Sequence, residues 1–287
     1  WRRKNSMVEN RPLLTLVTHI FLLVGAVIVV FPIYIALVAS THEVQDILTT
    51  VQGWFGSAMI ENYSTILISG KLSARGIPAW IMMWNSLIMA LGIVIGKISI
   101  SIISAYAIVY FRFPFRMFFF WMIFLTLMLP VEVRILPTYE VVANLGLLNS
   151  YPGLILPLIA SATATFLFRQ FFLTIPDELA EAARVDGAGP VRFFFDILLP
   201  LSRTNIAALF VILFIYGWNQ YLWPLLVTTD ESMTTIVVGM QQMLYVQDNI
   251  PEWHLTMATA ILAMILPLAV VILMQRQFVK GLVETEK

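Results

Sequence analysis

The most informative stretch of this sequence is a charged loop between two apolar runs. Residues 177–200 read DELAEAARVDGAGPVRFFFDILLP. Pro176 can set the start of a helix, two acidic residues then suit its first turn, and Gly187 can end it in a left-handed turn. The pattern predicts a helix of about two to three turns. The residues that we single out in this loop are Glu181, Ala182, Ala183, Asp186, Gly187, Ile197, Leu199 and Pro200.

The composition on either side of the loop is that of a membrane protein. Hydrophobic residues make up 60% of the 287 residues, and the mean hydropathy is +0.87. Soluble domains contain roughly 45–50% apolar residues. One helical span needs about 20 apolar residues. Runs with few or no charges cover 13–39, 81–110, 117–131, 141–168, 204–229 and 253–275. We therefore predict an all-α membrane protein with six transmembrane helices in a single domain over residues 1–287.

The basic residues orient these predicted spans. Cytoplasmic loops of membrane proteins carry an excess of Lys and Arg. Most of the 17 basic residues fall on one side if the N-terminus is cytoplasmic, whereas Lys71, Arg75 and Arg134 fall on the other side. We predict that both termini are cytoplasmic, that residues 176–203 form a cytoplasmic loop, and that residues 41–80 form an external segment.

Several kinds of site are not indicated by this sequence. The absence of cysteine excludes disulfides and thiolate metal sites, and the three histidines are scattered. Gly92, Gly96 and Lys97 resemble a phosphate loop only superficially, because the spacing is short and no Ser or Thr follows. We interpret the two glycines as a small-residue face for helix packing. We predict no catalytic residue, no metal site and, with a net charge of zero, no nucleic-acid partner.

Two basic residues are candidates for a substrate path. Lys97 falls near the middle of the predicted span 81–110, where a charge is costly and should face a partner, a water-filled cavity or a substrate. A structural contact with a neighbouring helix is the alternative. Arg134 could contact a phosphate through two hydrogen bonds, although Glu132 is close enough in sequence to neutralise it.

The fifth predicted span adds polar side chains among aromatic ones. Trp218, Asn219 and Gln220 lie within it, before Pro224. Amide groups and ring faces suit the recognition of a polyol. Aromatic residues near the end of a span also form the usual belt at the membrane interface. Both interpretations stay open for these three residues.

The spacing from Glu181 to Pro200 resembles the EAA loop of bacterial ABC-importer permeases, where a short cytoplasmic helix docks on an ATPase. The run at 129–172, LPVEVRILPTYEVVANLGLLNSYPGLILPLIASATATFLFRQFF, is similar to the second permease of binding-protein-dependent sugar importers such as the maltose system. The stretches FIYGWNQYLWPLL at 214–226 and MQRQFVKGLVETEK at 274–287 are similar to the branch of that family that imports sn-glycerol-3-phosphate.

This resemblance implies a type I ABC-importer permease fold in the bacterial inner membrane. It implies a non-catalytic subunit that forms half of a path for sn-glycerol-3-phosphate. The partners that it implies are a second permease subunit, two copies of an ABC ATPase, a periplasmic substrate-binding protein and membrane lipid. No cofactor is expected in this chain, because ATP and Mg²⁺ would bind the partner ATPase. A permease for another sugar or polyol, or a stand-alone secondary transporter, is the alternative.

Overall fold

The computed structural model describes residues 12–70, 76–126, 131–244 and 252–284, and the regular structure in these ranges is helical without any strand. The α-helices are α1 Pro12–Ala39, α2 Val44–Thr49, α3 Met59–Ser64, α4 Ala79–Tyr110, α5 Arg116–Leu125, α6 Val131–Asn144, α7 Tyr151–Ile155, α8 Ala162–Phe172, α9 Asp177–Val185, α10 Pro190–Phe193, α11 Leu199–Leu201, α12 Arg203–Trp218, α13 Leu222–Val227, α14 Ile236–Leu244 and α15 Trp253–Glu284. Short π-helical turns occupy Thr65–Ser69 and Phe194–Leu198, and 3₁₀ turns occupy Leu156–Leu158 and Glu231–Met233.

The described residues fall into two compact units. One lies within Trp1–Ser64 and Glu252–Ile261, and the other lies within Thr65–Pro251 and Leu262–Lys287. The single domain over residues 1–287 stays a prediction.

The first unit combines α1 with most of the predicted external segment. Nearly all side chains of α1 are exposed, as expected for an apolar helix that faces lipid or another subunit. The chain that follows α1 is ordered by hydrogen bonds around Asn62. Its side-chain amide donates to the carbonyl oxygens of Ser40 (3.0 Å) and His42 (2.8 Å), and the Thr41 hydroxyl accepts the N–H of Gly56 at 2.8 Å. Residues 41–64 of the predicted external segment therefore form a folded element.

The second unit is built around α4, along which α8 and α12 pack. The approach is close because small residues of α4 face bulky neighbours. A β-carbon added at Gly92 would reach the Ile155 side chain, and one added at Gly96 would reach that of Ile159. This confirms that the two glycines form a packing face rather than a phosphate loop.

Three helices are long and apolar enough to cross a membrane, namely Pro12–Ala39, Ala79–Tyr110 and Trp253–Gln277. Two further pairs qualify only as bent spans, with a bend of 49° between Tyr151–Leu158 and Ala162–Phe172 and one of 69° between Pro190–Leu201 and Arg203–Trp218. The described part of the chain thus contains three such spans, or five if each bent pair counts once. The number six and the cytoplasmic termini stay predictions.

The third, fourth and fifth predicted spans differ from the observed helices. The third, 117–131, corresponds to α5, and its residues 127–130 lie outside the described residues. The fourth, 141–168, is interrupted after α6 and again before α8, where prolines and turn residues break the hydrogen-bonding pattern. The fifth, 204–229, ends as a continuous helix at Trp218. Lys71 and Arg75, which the orientation argument placed outside, also lie outside the described residues.

A polar network holds the first turns of α4 to the chain before α14. The buried Asn85 amide donates to the carbonyl oxygens of Ser232 (2.8 Å) and Thr234 (3.0 Å) and accepts the Tyr151 hydroxyl at 2.7 Å. In the same loop, hydrogen bonds from the hydroxyl and the N–H of Ser232 lower the pKa of the exposed Asp230 carboxyl. Asn85 therefore satisfies three groups with one side chain.

We expect Asn85→Ala to destabilise the protein clearly. The variant leaves buried polar groups without partners, and each such group costs about 1–3 kcal/mol. The midpoint of thermal unfolding, measured on the purified transporter in detergent, should fall by about 5 °C or more. Asn144→Ala, at an exposed position of α6, is the matched control. Equal midpoints for the two variants would contradict a structural role of Asn85.

Candidate functional site

The predicted helix of the cytoplasmic loop is present as α9, Asp177–Val185. Pro176 precedes it with φ −59° and ψ 136°, and Asp177 and Glu178 lie in its first turn. At the other end Gly187 has φ 75°. The N–H of Gly187 donates to the Arg184 carbonyl (3.0 Å), and that of the next residue, 188, donates to the carbonyl of residue 183 (2.8 Å). These two hydrogen bonds are those of a Schellman motif, which confirms the predicted glycine termination.

One face of α9 is open and the other faces its own chain. Glu181, Ala182 and Asp186 are exposed, and Val185 keeps 87% of its surface. Ala183 is buried. It lines a cavity of about 230 Å³ between α9 and the end of α4, where Tyr106 and Tyr110 of α4 and the two residues that follow the helix, Phe111 and Arg112, also line it. Of the residues singled out in this loop, Ala183 thus contacts its own chain.

The chain after Gly187 leads directly into the bent pair of helices. The carbonyl oxygen of Pro190 accepts the Tyr106 hydroxyl at 2.9 Å, and the Phe193 ring lies 5.3 Å from that of Tyr110. Ile197, Leu199 and Pro200 are half-buried just before the 69° bend. A π-helical turn, Phe194–Leu198, precedes it, and such turns are frequent at functional sites. The three residues therefore lie at the entry to α12.

A cavity in the second unit is lined by both cations that the sequence singles out. Its volume is about 520 Å³, and Lys97, Arg134 and Tyr216 line it. The Lys97 side chain is 7% exposed, and its ammonium nitrogen lies 3.9 Å from the centre of the Tyr216 ring. None of the described lining residues is acidic. Neither cation makes an ion pair with a described carboxylate.

The other three predicted path residues lie elsewhere. Trp218 is only 1% exposed, stacks on Phe214 and donates its indole N–H to the carbonyl of Ala263 at 3.1 Å. Asn219 is exposed after the end of α12, and the Gln220 amide donates to the Tyr216 carbonyl at 3.0 Å. None of the three lines the cavity that holds Lys97 and Arg134.

Sequence reasoning missed one wall of this cavity, the segment 160–163 at the break between α7 and α8. Its signal in the sequence was Ser161, a residue type that favours the position before a helix. In the structure Ser161 does cap α8, because its hydroxyl accepts the N–H of Ala164 at 3.2 Å.

Comparisons with known proteins agree with this architecture. Residues 97–284 match the family described as binding-protein-dependent transport system inner membrane component. The chain is 60% identical to the sn-glycerol-3-phosphate transport system permease protein UgpE of Agrobacterium fabrum, over 98% of this chain and 100% of that protein. It is 56% identical to the protein of the same name from Salmonella typhi, over the same shares.

A solved structure supports the fold. A chain in the crystal structure of a bacterial ABC transporter involved in the import of the acidic polysaccharide alginate superposes with a TM-score of 0.78 at 20% identity. The match covers 95% of this chain and 99% of that chain. The all-α ABC-importer permease fold is thus confirmed, as is the multi-pass inner-membrane location. The relatives are transport components, which confirms a non-catalytic subunit. The chain belongs to the family of binding-protein-dependent transport system inner membrane components.

Proposed function

We propose that this chain is the permease subunit of an ATP-driven importer and forms half of its translocation path for sn-glycerol-3-phosphate. The observation that carries the proposal is the cavity with Lys97 and Arg134 on its wall and no described acidic lining residue. A buried cation within a membrane span is costly unless an opposite charge or a polar partner meets it. A phosphate monoester supplies that charge. The near-full-length likeness to permeases named for sn-glycerol-3-phosphate supports the same cargo.

Energy enters through α9. A helix of nine residues is marginal on its own in water, and the open side of α9 offers both apolar contacts and the charges of Glu181 and Asp186. We propose that this side docks on a cytoplasmic ABC ATPase that binds ATP and Mg²⁺. Ala182 is a small residue on the open side, Ala183 packs against α4, and Gly187 ends the helix. The complete transporter contains a second permease, two copies of the ATPase and a periplasmic substrate-binding protein.

The loop then transmits movement to the membrane part. When the ATPases bind ATP and close together, α9 moves with them. The cavity of about 230 Å³ behind α9 leaves it room to shift against α4. Ile197, Leu199 and Pro200 carry that shift across the 69° bend into α12, which opens the path outward. Hydrolysis resets the loop and opens the path inward.

The cargo is tested by uptake in cells that express the complete transporter. We expect labelled sn-glycerol-3-phosphate to be taken up and labelled maltose to be excluded, because the cavity offers unpaired positive charge. Uptake should stop when the ATPase subunit is inactivated by mutation. Preference for the neutral sugar would contradict the cargo. Uptake that continues without ATP hydrolysis would favour a stand-alone secondary transporter.

A further inference from the structure

Because the chain bends between α7 and α8, the N-terminus of α8 forms part of the wall of the cavity that Lys97 lines. The bend between the two helical segments is 49°, and residues 160–163 line the cavity beside Lys97. The helix that begins there, α8, is 11 residues long. A helix N-terminus presents free N–H groups and a partial positive charge, both of which favour an anion.

Two of the first N–H groups of α8 are available to a ligand. The hydroxyl and the carbonyl oxygen of Ser161 accept the N–H groups of Ala164 and Thr165. Within the described residues, no acceptor takes the N–H groups of Ala162 and Thr163. At this end of α8, the N–H groups of Ala162 and Thr163 are therefore the ones that Ser161 leaves unpaired, and they lie at the cavity wall.

A buried cation points independently to an anion at the same place. Lys97 is 7% exposed, lines the cavity and makes no hydrogen bond to any described residue. Among the described residues, the partner of its ammonium group is the face of the Tyr216 ring, whose centre lies 3.9 Å away. Contact with a ring face replaces only part of the hydration that a buried ammonium loses. The N–H donors of the Lys97 ammonium group can thus bind an anionic ligand.

Helix α4 fixes the N-terminus of α8 near this cation. The Ser101 hydroxyl of α4 donates to the Ser161 carbonyl at 3.2 Å. Ser101 and Lys97 are four residues apart and lie on one face of α4, about one helical turn from each other. The same contact therefore sets the distance between the free N–H groups and the ammonium group.

We propose that the phosphoryl group of the cargo binds the main-chain N–H groups of Ala162 and Thr163 while Lys97 and Arg134 neutralise its charge. This inference rests on the proposed function and assigns its anion subsite to main chain as well as side chains. The hydroxyl groups of Ser104 and Thr163, which have no described hydrogen-bond partner, face the glycerol part. A sulfate monoester or a carboxylate of similar size is bound less well, because each carries a single negative charge, whereas a phosphate monoester carries nearly two and the site offers two cations and a helix N-terminus.

The test removes one N–H group without disturbing the helix. Proline is favoured at the first position of a helix, and it requires an extended residue before it. Ser161 is extended, with φ −147° and ψ 104°. Ala162→Pro should therefore retain α8 and lose one donor. We expect the dissociation constant of labelled sn-glycerol-3-phosphate, measured on the purified complete transporter without binding protein, to rise about tenfold or more.

The matched control makes the same change at the start of a helix that does not line the cavity. Val44 is the first residue of α2 and follows an extended residue, Glu43. Val44→Pro should leave the dissociation constant within twofold of the wild-type value. Wild-type affinity in an assembled Ala162→Pro transporter would overturn the subsite. Absence of binding in a wild-type transporter that imports sn-glycerol-3-phosphate would overturn the subsite alone, whereas failure of the uptake assay itself would contradict the proposed cargo.

A second variant decides the matter if Ala162→Pro does not assemble. An acidic residue in the first turn stabilises a helix, so Thr163→Asp should fold while its carboxylate competes with the phosphoryl group. We expect binding to weaken by at least about tenfold, because like charges now meet in the cavity. The control is Gln45→Asp at the second position of α2. Unchanged affinity for Thr163→Asp would overturn the proposal.

Discussion

Gly187→Val should weaken the docking of the ATPase by at least about tenfold and reduce coupled uptake accordingly. Gly187 has φ 75°, a conformation that costs a residue other than glycine about 1–3 kcal/mol and is worst for β-branched side chains. The variant therefore unwinds the last turn of α9 or redirects the chain toward Pro190. Both changes displace the exposed side of the helix. Co-purification of the ATPase and uptake of labelled cargo measure the effect.

A second substitution at the same position separates strain from bulk. A β-carbon at Gly187 would meet no atom of a neighbouring residue within 4 Å, so the loss in Gly187→Val comes from backbone strain at this residue. Asparagine tolerates the left-handed conformation far better than valine. Gly187→Asn should therefore keep most of the co-purification and uptake. Equal behaviour of the two variants, whether both active or both inactive, would contradict termination by a left-handed residue as the basis of coupling.

Lys97→Met should reduce uptake of sn-glycerol-3-phosphate by about a hundredfold or more. The side chains are similar in length, but methionine brings no charge to a cavity without described acidic lining residues. An anion that enters it then lacks a buried counter-charge, and the loss of one partner from a buried ion pair typically costs about 3–5 kcal/mol. Uptake by cells with the complete transporter is the measurement.

The comparison with arginine shows whether charge is what matters at residue 97. Lys97→Arg retains a cation and should keep a larger share of uptake than Lys97→Met. Assembly with the ATPase, measured by co-purification, should be the same for both variants, because α9 packs near Tyr106 and Tyr110 at the end of α4, about two and a half turns beyond Lys97. Full transport by Lys97→Met would make Lys97 a packing residue, as the alternative interpretation of the sequence holds.

The sequence predicts best those features that neighbouring residues determine. Helix α9 has its start and end where Pro176 and Gly187 predict them, because a fixed φ and a left-handed turn are local constraints. The small-residue face of α4 was predictable for the same reason. The glycine spacing is visible in the sequence, and close packing is its usual purpose in a membrane helix.

The sequence predicts less well those features that depend on tertiary contact. The sequence identifies Lys97 and Arg134 separately, as charges that are costly to bury. That both line one cavity follows from the packing of α4 against its neighbours, which the sequence does not show. The break before α8 is marked by Ser161 within a long apolar run and is hard to recognise, since membrane spans lack the polar stretches that mark loops in soluble proteins. Trp218 illustrates the reverse case, because its polar neighbours suggested a path and its indole is buried against α15.

The unbroken course of α4 means that events at its two ends are not independent. It has 32 residues and contains no proline, so it has no hinge of the usual kind. Asn85 fastens one end to the chain before α14, Lys97 lies between, and Tyr106 touches the segment after α9 at the other end. A displacement of α9 that tilts α4 therefore also moves the ammonium group of Lys97. In the proposed mechanism, movement of α9 and the contact of Lys97 with the cargo are therefore linked through one helix.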